Sequence, residues 1–135
     1  MKDDCIFCKL ANGVFATNVI YEDNDFTVIL DAGPANPGHA LVLPKAHSTD
    51  IFDTDENTIA GAMKLAKKVA ARLKEVLDCD GVNIVQNSGE AAGQTVSHYH
   101  VHVIPRFKND GQTIGWKVGK PTDDEQAELR DKLAF

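Results

Sequence analysis

Apolar positions recur along this chain with two different periods, and the change of period divides it into elements. Val19 to Glu22 and Phe26 to Leu30 are short β-branched and aromatic runs separated by Asp23-Asn24-Asp25, which predicts an antiparallel hairpin. A third run, Ala40 to Leu43, follows the loop Gly33-Pro34-Ala35-Asn36-Pro37-Gly38 and stops at Pro44. From Asp53 to about Leu77 the spacing becomes helical: Ile59, Met63, Ala66, Ala70, Leu73 and Leu77 advance by threes and fours, with Lys64, Lys67, Lys68 and Glu75 mostly off that stripe. Asp53, with Glu56 three residues on, reads as its capping box. Val82 to Gln86 and Val96 to Ile104 are a fourth and a fifth strand, the last ended by Pro105. Short helices are expected at Cys5 to Ala11, closed by Asn12-Gly13, and from the Thr122-Asp123-Asp124-Glu125 capping box toward Leu133.

Five strands, mostly in hairpin order, with one long helix between the third and fourth predict an α+β fold: a five-stranded antiparallel sheet covered by the helical stripe, with short terminal helices. A length of 135 residues with 43% hydrophobic content suits one domain, residues 1–135, with a core of its own. There is no repeat, low-complexity tract or linker. The formal charge of −6 argues against a surface that grips nucleic acid through phosphates, which needs clustered Lys and Arg. A small anionic ligand stays compatible, because a local site can be rich in donors. No apolar run approaches the roughly 20 residues of a membrane helix, and Met1 to Cys5 lacks a signal-peptide layout, so a cytoplasmic location away from membranes is expected. Three cysteines, two of them in Cys5-Ile6-Phe7-Cys8, read as thiols or metal ligands rather than a disulfide framework, and Cys79 as a small buried residue.

The strongest chemical signal is His98-Tyr99-His100-Val101-His102-Val103-Ile104. Histidine alternates with apolar residues, which on a strand puts all three imidazoles on one face about 7 Å apart and Tyr99, Val101 and Val103 on the core face. Three of the five histidines are spent here. Desolvating three rings side by side would cost about 1–3 kcal/mol for each one left unpaired, so an arrangement without purpose is disfavoured. Two chemical readings remain open: a metal held by His98, His100 and His102 for hydrolysis, or a nucleophile with flanking donors. Imidazole attacks phosphorus when one nitrogen is unprotonated and the other is tied to an acceptor, and the middle ring, His100, is best placed. The preceding loop supports phosphate chemistry: Gly89, Gly93, Ala91 and Ala92 allow close backbone approach, and Asn87, Gln94 and Thr95 offer neutral donors. A metal hydrolase would want a carboxylate base, for which Glu90 is the local candidate. Cys5-x-x-Cys8 has zinc-ligand spacing, and His47 and His98 could complete a tetrahedral set.

His98 to Ile104, with Gly93-Gln94-Thr95-Val96 before it, resembles the histidine triad family, whose signature is H-φ-H-φ-H-φ-φ with φ apolar. Ile6-Phe7, Asp31, the Pro34 to His39 loop, Leu41 to Lys45 and Asn87 look like further landmarks, so the likeness covers roughly residues 5 to 106. The resemblance implies a purine nucleotide hydrolase or transferase, of the phosphoramidase or the dinucleoside polyphosphate hydrolase type. His100 would become nucleotidylated, His102 would bond a phosphate oxygen, and Thr95 and Gln94 would sit near the leaving group. Asp31 would hold the ribose hydroxyls, with Asn87 helping; Ile6, Phe7, Leu10 and Ile29 would line the base slot, and His39 would support the triad. Phe7 and Leu10 could equally pack the first helix, and Asp31 could cap a turn. The resemblance also implies structural zinc on Cys5, Cys8, His47 and His98, no catalytic cofactor, and a homodimer joining two sheets. Trp116 is expected at a partner-subunit contact near the site. Besides the zinc hydrolase, a nucleotide-binding regulatory module with little turnover is the competing function.

Overall fold

A computed structural model describes residues 1–135. In chain order the elements are α1 (Ile6–Ala11), β1 (Val19–Glu22), β2 (Phe26–Leu30), β3 (Ala40–Pro44), α2 (Glu56–Leu77), β4 (Gly81–Val85), β5 (Val101–Arg106) and α3 (Asp123–Leu133), with a 3-10 turn at Glu90–Ala92. The five strands form one antiparallel sheet in the order β1-β2-β3-β5-β4. This is the α+β sheet with one long helix that the periodicity predicts.

The two faces of the sheet have separate cores. Val28, Val42, Val101, Val103 and Tyr99 pack with Ala62, Leu65, Ala66, Val69 and Leu73 of α2. On the opposite face Ile29, Leu41 and Leu43 pack with Ala11, and Phe7 and Leu10 of α1 lie against them. Thr27 Oγ1 donates to Ala11 O at 2.7 Å, and Asn12 Nδ2 donates to Cys8 O and Lys45 O, so the end of α1 is pinned to that face.

The elements α2, β5 and β4 depart from the sequence reading. Helix α2 starts two residues later, because Asp53 spends its carboxylate on the N–H groups of Thr49 and Asp50 while Asp55 caps through Thr58 N. The buried stripe of α2 is also rotated: Met63 is 51% exposed and Leu77 lies at the edge, whereas Ala62, Leu65 and Val69 are buried. Small side chains face the sheet here, and a Cβ on Gly61 would already lie 3.1 Å from the Phe26 ring. Finally, β5 begins at Val101 and runs through Pro105. Val42 opposes Val101, so Pro44 closes β3 before it can pair further back, and Tyr99 N instead donates to Ser48 O. At the far end β3 has run out at Ala40 opposite Val103, so Pro105 lies past that pairing, where its carbonyl accepts from Asn36 Nδ2. Strand β4 is one residue earlier than predicted.

The segment from Gly111 to Phe135 is different in kind. None of its residues is buried except for half-buried Ala127, although it carries Ile114, Trp116, Val118, Leu129, Leu133 and Phe135.

Candidate functional site

The histidines lie on the α1 face of the sheet. Only His102 is within β5; His98 and His100 precede it in extended chain, but the alternation persists, with Tyr99, Val101 and Val103 all in the α2-side core. The ring centroids of His100 and His102 are 5.0 Å apart, and the Phe7 ring meets His100 edge-on at 4.8 Å. His98 is fully buried, His100 is 5% exposed and His39 is buried beside them. No buried side-chain nitrogen or oxygen lacks a partner.

His100, His98 and His39 each have the tautomer fixed by a backbone group whose role is not adjustable, and His102 takes its own from His39. His100 Nδ1 lies 2.6 Å from the His98 carbonyl, which only accepts, so Nδ1 carries the proton and Nε2 holds a lone pair. His98 Nε2 lies 2.8 Å from Pro44 O and is protonated for the same reason, leaving Nδ1 as the free donor of electrons. The Ala35 N–H donates to His39 Nδ1 at 3.0 Å, so His39 Nε2 carries the proton and donates to His102 Nδ1 at 2.9 Å. His102 Nε2–H remains as a donor beside the His100 lone pair. Burial pushes His100 and His39 below the ordinary imidazole value and His102 down to about 4, with His100 and His39 nearby adding to the effect on His102. All are neutral near pH 7, as a nucleophile and a relay of neutral donors require.

Asp31 serves two neighbours. Its Oδ1 accepts from Gly33 N, the turn-capping role, and its Oδ2 lies 3.5 Å from His39 Nε2, at the rim of the triad. Phe7, Leu10 and half-exposed Ile6 form an apolar wall on α1, whereas Ile29 is 3% exposed and packs beneath that helix. The loop after β4 is held by Gln94: Oε1 accepts from Gly89 N, and Nε2 donates to Thr49 O and Val96 O. Gly89 and Gly93 take φ of 94° and 95°, which L side chains rarely adopt, and Asn87 packs beside Gly93. Thr95 is exposed, as is Glu90. The positions that orient the rings, namely the carbonyls of Pro44 and His98 and the N–H of Ala35, are backbone groups and have no signature in a sequence.

A second cluster adjoins the first. Cys5 Sγ and Cys8 Sγ each lie 3.4 Å from His98 Nδ1, and Cys8 Sγ lies 3.3 Å from His47 Nδ1. The four ligand atoms are within 4.8 Å of one another. Tetrahedral bonds of about 2.3 Å to sulfur and about 2.05 Å to nitrogen place S and N roughly 3.5 Å apart, so this donor set fits a zinc-sized ion. Both His98 nitrogens are thereby spent, one toward the cysteines and one on Pro44, so His98, His100 and His102 do not converge on a common point as a three-histidine catalytic site requires.

Residues 12–109 match the family model described as "HIT domain". A HIT-like protein of Methanocaldococcus jannaschii is 41% identical over 119 residues, covering 88% of this chain and 92% of that one. A protein named adenylylsulfatase HINT3 from Arabidopsis thaliana is 33% identical over 110 residues, covering 82% of this chain and 56% of its own length. The crystal structure of a zinc-bound histidine triad family protein from Mycobacterium smegmatis superposes with a TM-score of 0.76 at 39% identity, covering 97% of this chain and 94% of that one.

Proposed function

The chain belongs to the histidine triad family, and from that membership we propose that it is a hydrolase or transferase that cleaves a purine nucleoside 5′-monophosphate from a leaving group through a nucleotidyl-His100 intermediate. The observation that carries the reading is the His100 Nδ1–H bond to the His98 carbonyl, which leaves an unprotonated Nε2 in a buried, neutral ring. In the first step Nε2 attacks phosphorus, and the bond to the leaving group breaks with its electron pair. The positive charge that develops on the imidazole is relieved through Nδ1–H toward the His98 carbonyl. In the second step water attacks the same phosphorus, the P–N bond breaks and returns its pair to Nε2, and the water proton is released with the nucleotide. His102 Nε2–H donates to a phosphate oxygen in both steps.

Around this centre Asp31 would hold the ribose hydroxyls, as a carboxylate suits two vicinal donors. The apolar wall of Ile6, Phe7 and Leu10 would take the purine, with Ile29 as its buried support. Asn87 would lie beside the ribose or phosphate, and Thr95 would face the leaving group. Gln94 would act through the backbone of the loop it holds, and His39 through His102. The name adenylylsulfatase on the Arabidopsis relative is in keeping with an adenylyl group as the transferred unit. Phosphoramidates and dinucleoside polyphosphates are the leaving-group classes we propose. Cys5, Cys8, His47 and His98 would hold a structural zinc; such an ion would tie α1 to the segment that carries His100, and the His98 bond to Pro44 O would orient the ring for it.

We also propose a homodimer. The β4 edge of the sheet is unpaired and its Ile84 is exposed, and the apolar residues of the segment after Gly111 need cover. Trp116, 88% exposed in the single chain, would find its contact there.

The deciding experiment is mass spectrometry of protein quenched during turnover of a purine nucleoside phosphoramidate. A nucleotidyl mass on the peptide that contains His100 is expected; turnover without any such adduct, in wild type and in slow substrates alike, removes the covalent mechanism.

A further inference from the structure

The loop that carries His39 is fastened from outside the family site by a group of residues the mechanism has not used. Asp110 lies in the turn after β5, with its side chain 8% exposed, and five donors reach its carboxylate. Oδ2 accepts from Arg106 Nε at 2.8 Å, Asn36 Nδ2 at 2.9 Å and Phe107 N at 3.0 Å, and Oδ1 accepts from Arg106 Nη2 and Gln112 N, each at 3.0 Å. Arg106 is held in turn by Asn83 Oδ1 and Gln112 O. Four of these donors come from the turn itself, and the fifth, Asn36 Nδ2, comes from the loop that carries His39. What the cluster fixes is the segment from Ala35 to His39: Asn36 reaches the carboxylate, and Gln112 Nε2 donates to Ala35 O at 2.6 Å.

Ala35 is where the polarity of the histidine relay begins. Its N–H can only donate, so His39 Nδ1 accepts; with the Asp31 carboxylate 3.5 Å from Nε2 favouring the same tautomer, His39 Nε2 donates to His102, and His102 presents N–H on Nε2. If Ala35 moves by about 1 Å the N–H no longer reaches Nδ1 and only the longer Asp31 contact favours the proton on His39 Nε2; in the fraction where that proton turns around, His102 presents a lone pair where a phosphate oxygen needs a donor. His39 N also donates to Asn36 O at 3.0 Å, so the ring and the clasp share one short stretch of backbone.

We propose that Asp110 and Gln112 are positioning residues for His102, acting through Asn36, Ala35 and His39 to fix which nitrogen of the His102 ring donates. The proposal rests on the nucleotidyl-transfer reading for its kinetic consequence but not for its structural one. Gln112 is exposed, so Gln112→Ala is the variant least able to disturb folding; Asp110→Asn, which keeps the shape and removes the charge, is the stronger perturbation.

The test is the ¹⁵N spectrum of the imidazole rings in the full chain without substrate, joined to steady-state kinetics with a purine nucleoside phosphoramidate. In wild type, His102 should show a single Nε2–H tautomer. Both variants should show a mixture at His102 and His39 while His98 is unchanged, and kcat should fall about 10-fold to 100-fold with KM within about twofold, the pattern of a mispositioned donor. His39→Gln should produce the same kinetic loss, and adding Gln112→Ala to it should lower kcat no further. Unmixed His102 tautomers in both variants would overturn the proposal. A mixture without a change in kcat would overturn the catalytic consequence. If wild type shows the single tautomer yet turns over no phosphoramidate, it is the functional reading that fails and not the positioning.

Discussion

Backbone carbonyls and one backbone N–H decide which nitrogen of each triad ring carries its proton, and this makes the consequences of single substitutions sharp. His100→Ala removes the unprotonated ring nitrogen of the proposed nucleophile, so kcat should fall by at least about 1,000-fold and the nucleotidyl adduct should disappear from the quenched protein, because flanking donors cannot replace a nucleophile. Turnover within tenfold of wild type in that variant is the result that would contradict it. The same burial sets the pH dependence. Burial first of all depresses His100 below the ordinary imidazole value of 6.5 and His102 to about 4, so both stay neutral at a pH where a free imidazole begins to charge. The acid limb of kcat should therefore lie below 6.5; a limb centred at or above 6.5 would mean the working ring is solvated. Stability follows the same sign. Between about 6.5 and about 4 the unfolded chain binds protons that the folded His98 and His102 refuse, so folding is favoured above this window and weakens as pH falls through it. Thermal melts in that range should shift downward with acid.

At the scale of elements, α1 is the least self-sufficient. It spans Ile6–Ala11, too short to persist by helix propensity, and is held by Cys5 and Cys8 at one end and by Thr27 and Asn12 at the other. A bound ion at about a hundredfold over its Kd would contribute about 2.7 kcal/mol, so for the proposed zinc Cys8→Ala should show none in metal analysis and lower the unfolding free energy by roughly that much. Equal stability with and without chelator in wild type would speak against it. Helix α2 makes a different prediction. Gly61→Ala gains about 1 kcal/mol of helix propensity, but the new Cβ meets the Phe26 ring at 3.1 Å, and overpacking costs about 1–3 kcal/mol. The net change in a denaturant titration should be a loss of about 1 kcal/mol.

These two helices also show how far the sequence could be read. The strands, the long helix and the alternating histidines follow from period alone, because burial on one face leaves its mark at every second or every third to fourth residue. The rotation of the α2 stripe did not follow: apolarity ranks Met63 and Leu77 above Ala62, yet a helix lying close to a sheet favours the small residue. The start of β5 was hidden for a related reason. Whether His98 to His100 pair depends on where β3 ends, a property of Pro44, more than fifty residues away in the chain. Of the site, the side chains could be named from their pattern, while the carbonyls and the N–H that orient them could not.

For the whole molecule, the unresolved demand is the segment after Gly111. Helix α3 has a well-formed cap, with Thr122 Oγ1 accepting from Glu125 N, but buries none of its side chains, and a helix of 11 residues without packing is marginal in water. Upstream of it Ile114, Trp116 and Val118 are exposed in a run without regular secondary structure, which is hydrogen-bonded to the body at Gln112. The body offers apolar surface in return: a groove of about 780 Å³ between α2 and the first hairpin, lined by Ile20, Leu30, Leu65, Val69 and Val76 with Lys68 and Arg72 at its side, lies across the sheet from the triad. The first turn of α3 is acidic, with Asp123, Asp124 and Glu125, a charge that suits such a rim. Folded arms with unmet apolar faces are stabilised when a second copy supplies the cover, and symmetry then doubles each contact. The expected outcome is that the full chain sediments as a dimer at micromolar concentration, and that a chain ending at Gly111 dissociates at least tenfold more readily. Trp116 fluorescence should be blue-shifted in the dimer and move to the red on dilution. A monomeric full chain with solvent-exposed Trp116 at every concentration would show that the arm waits for a different partner.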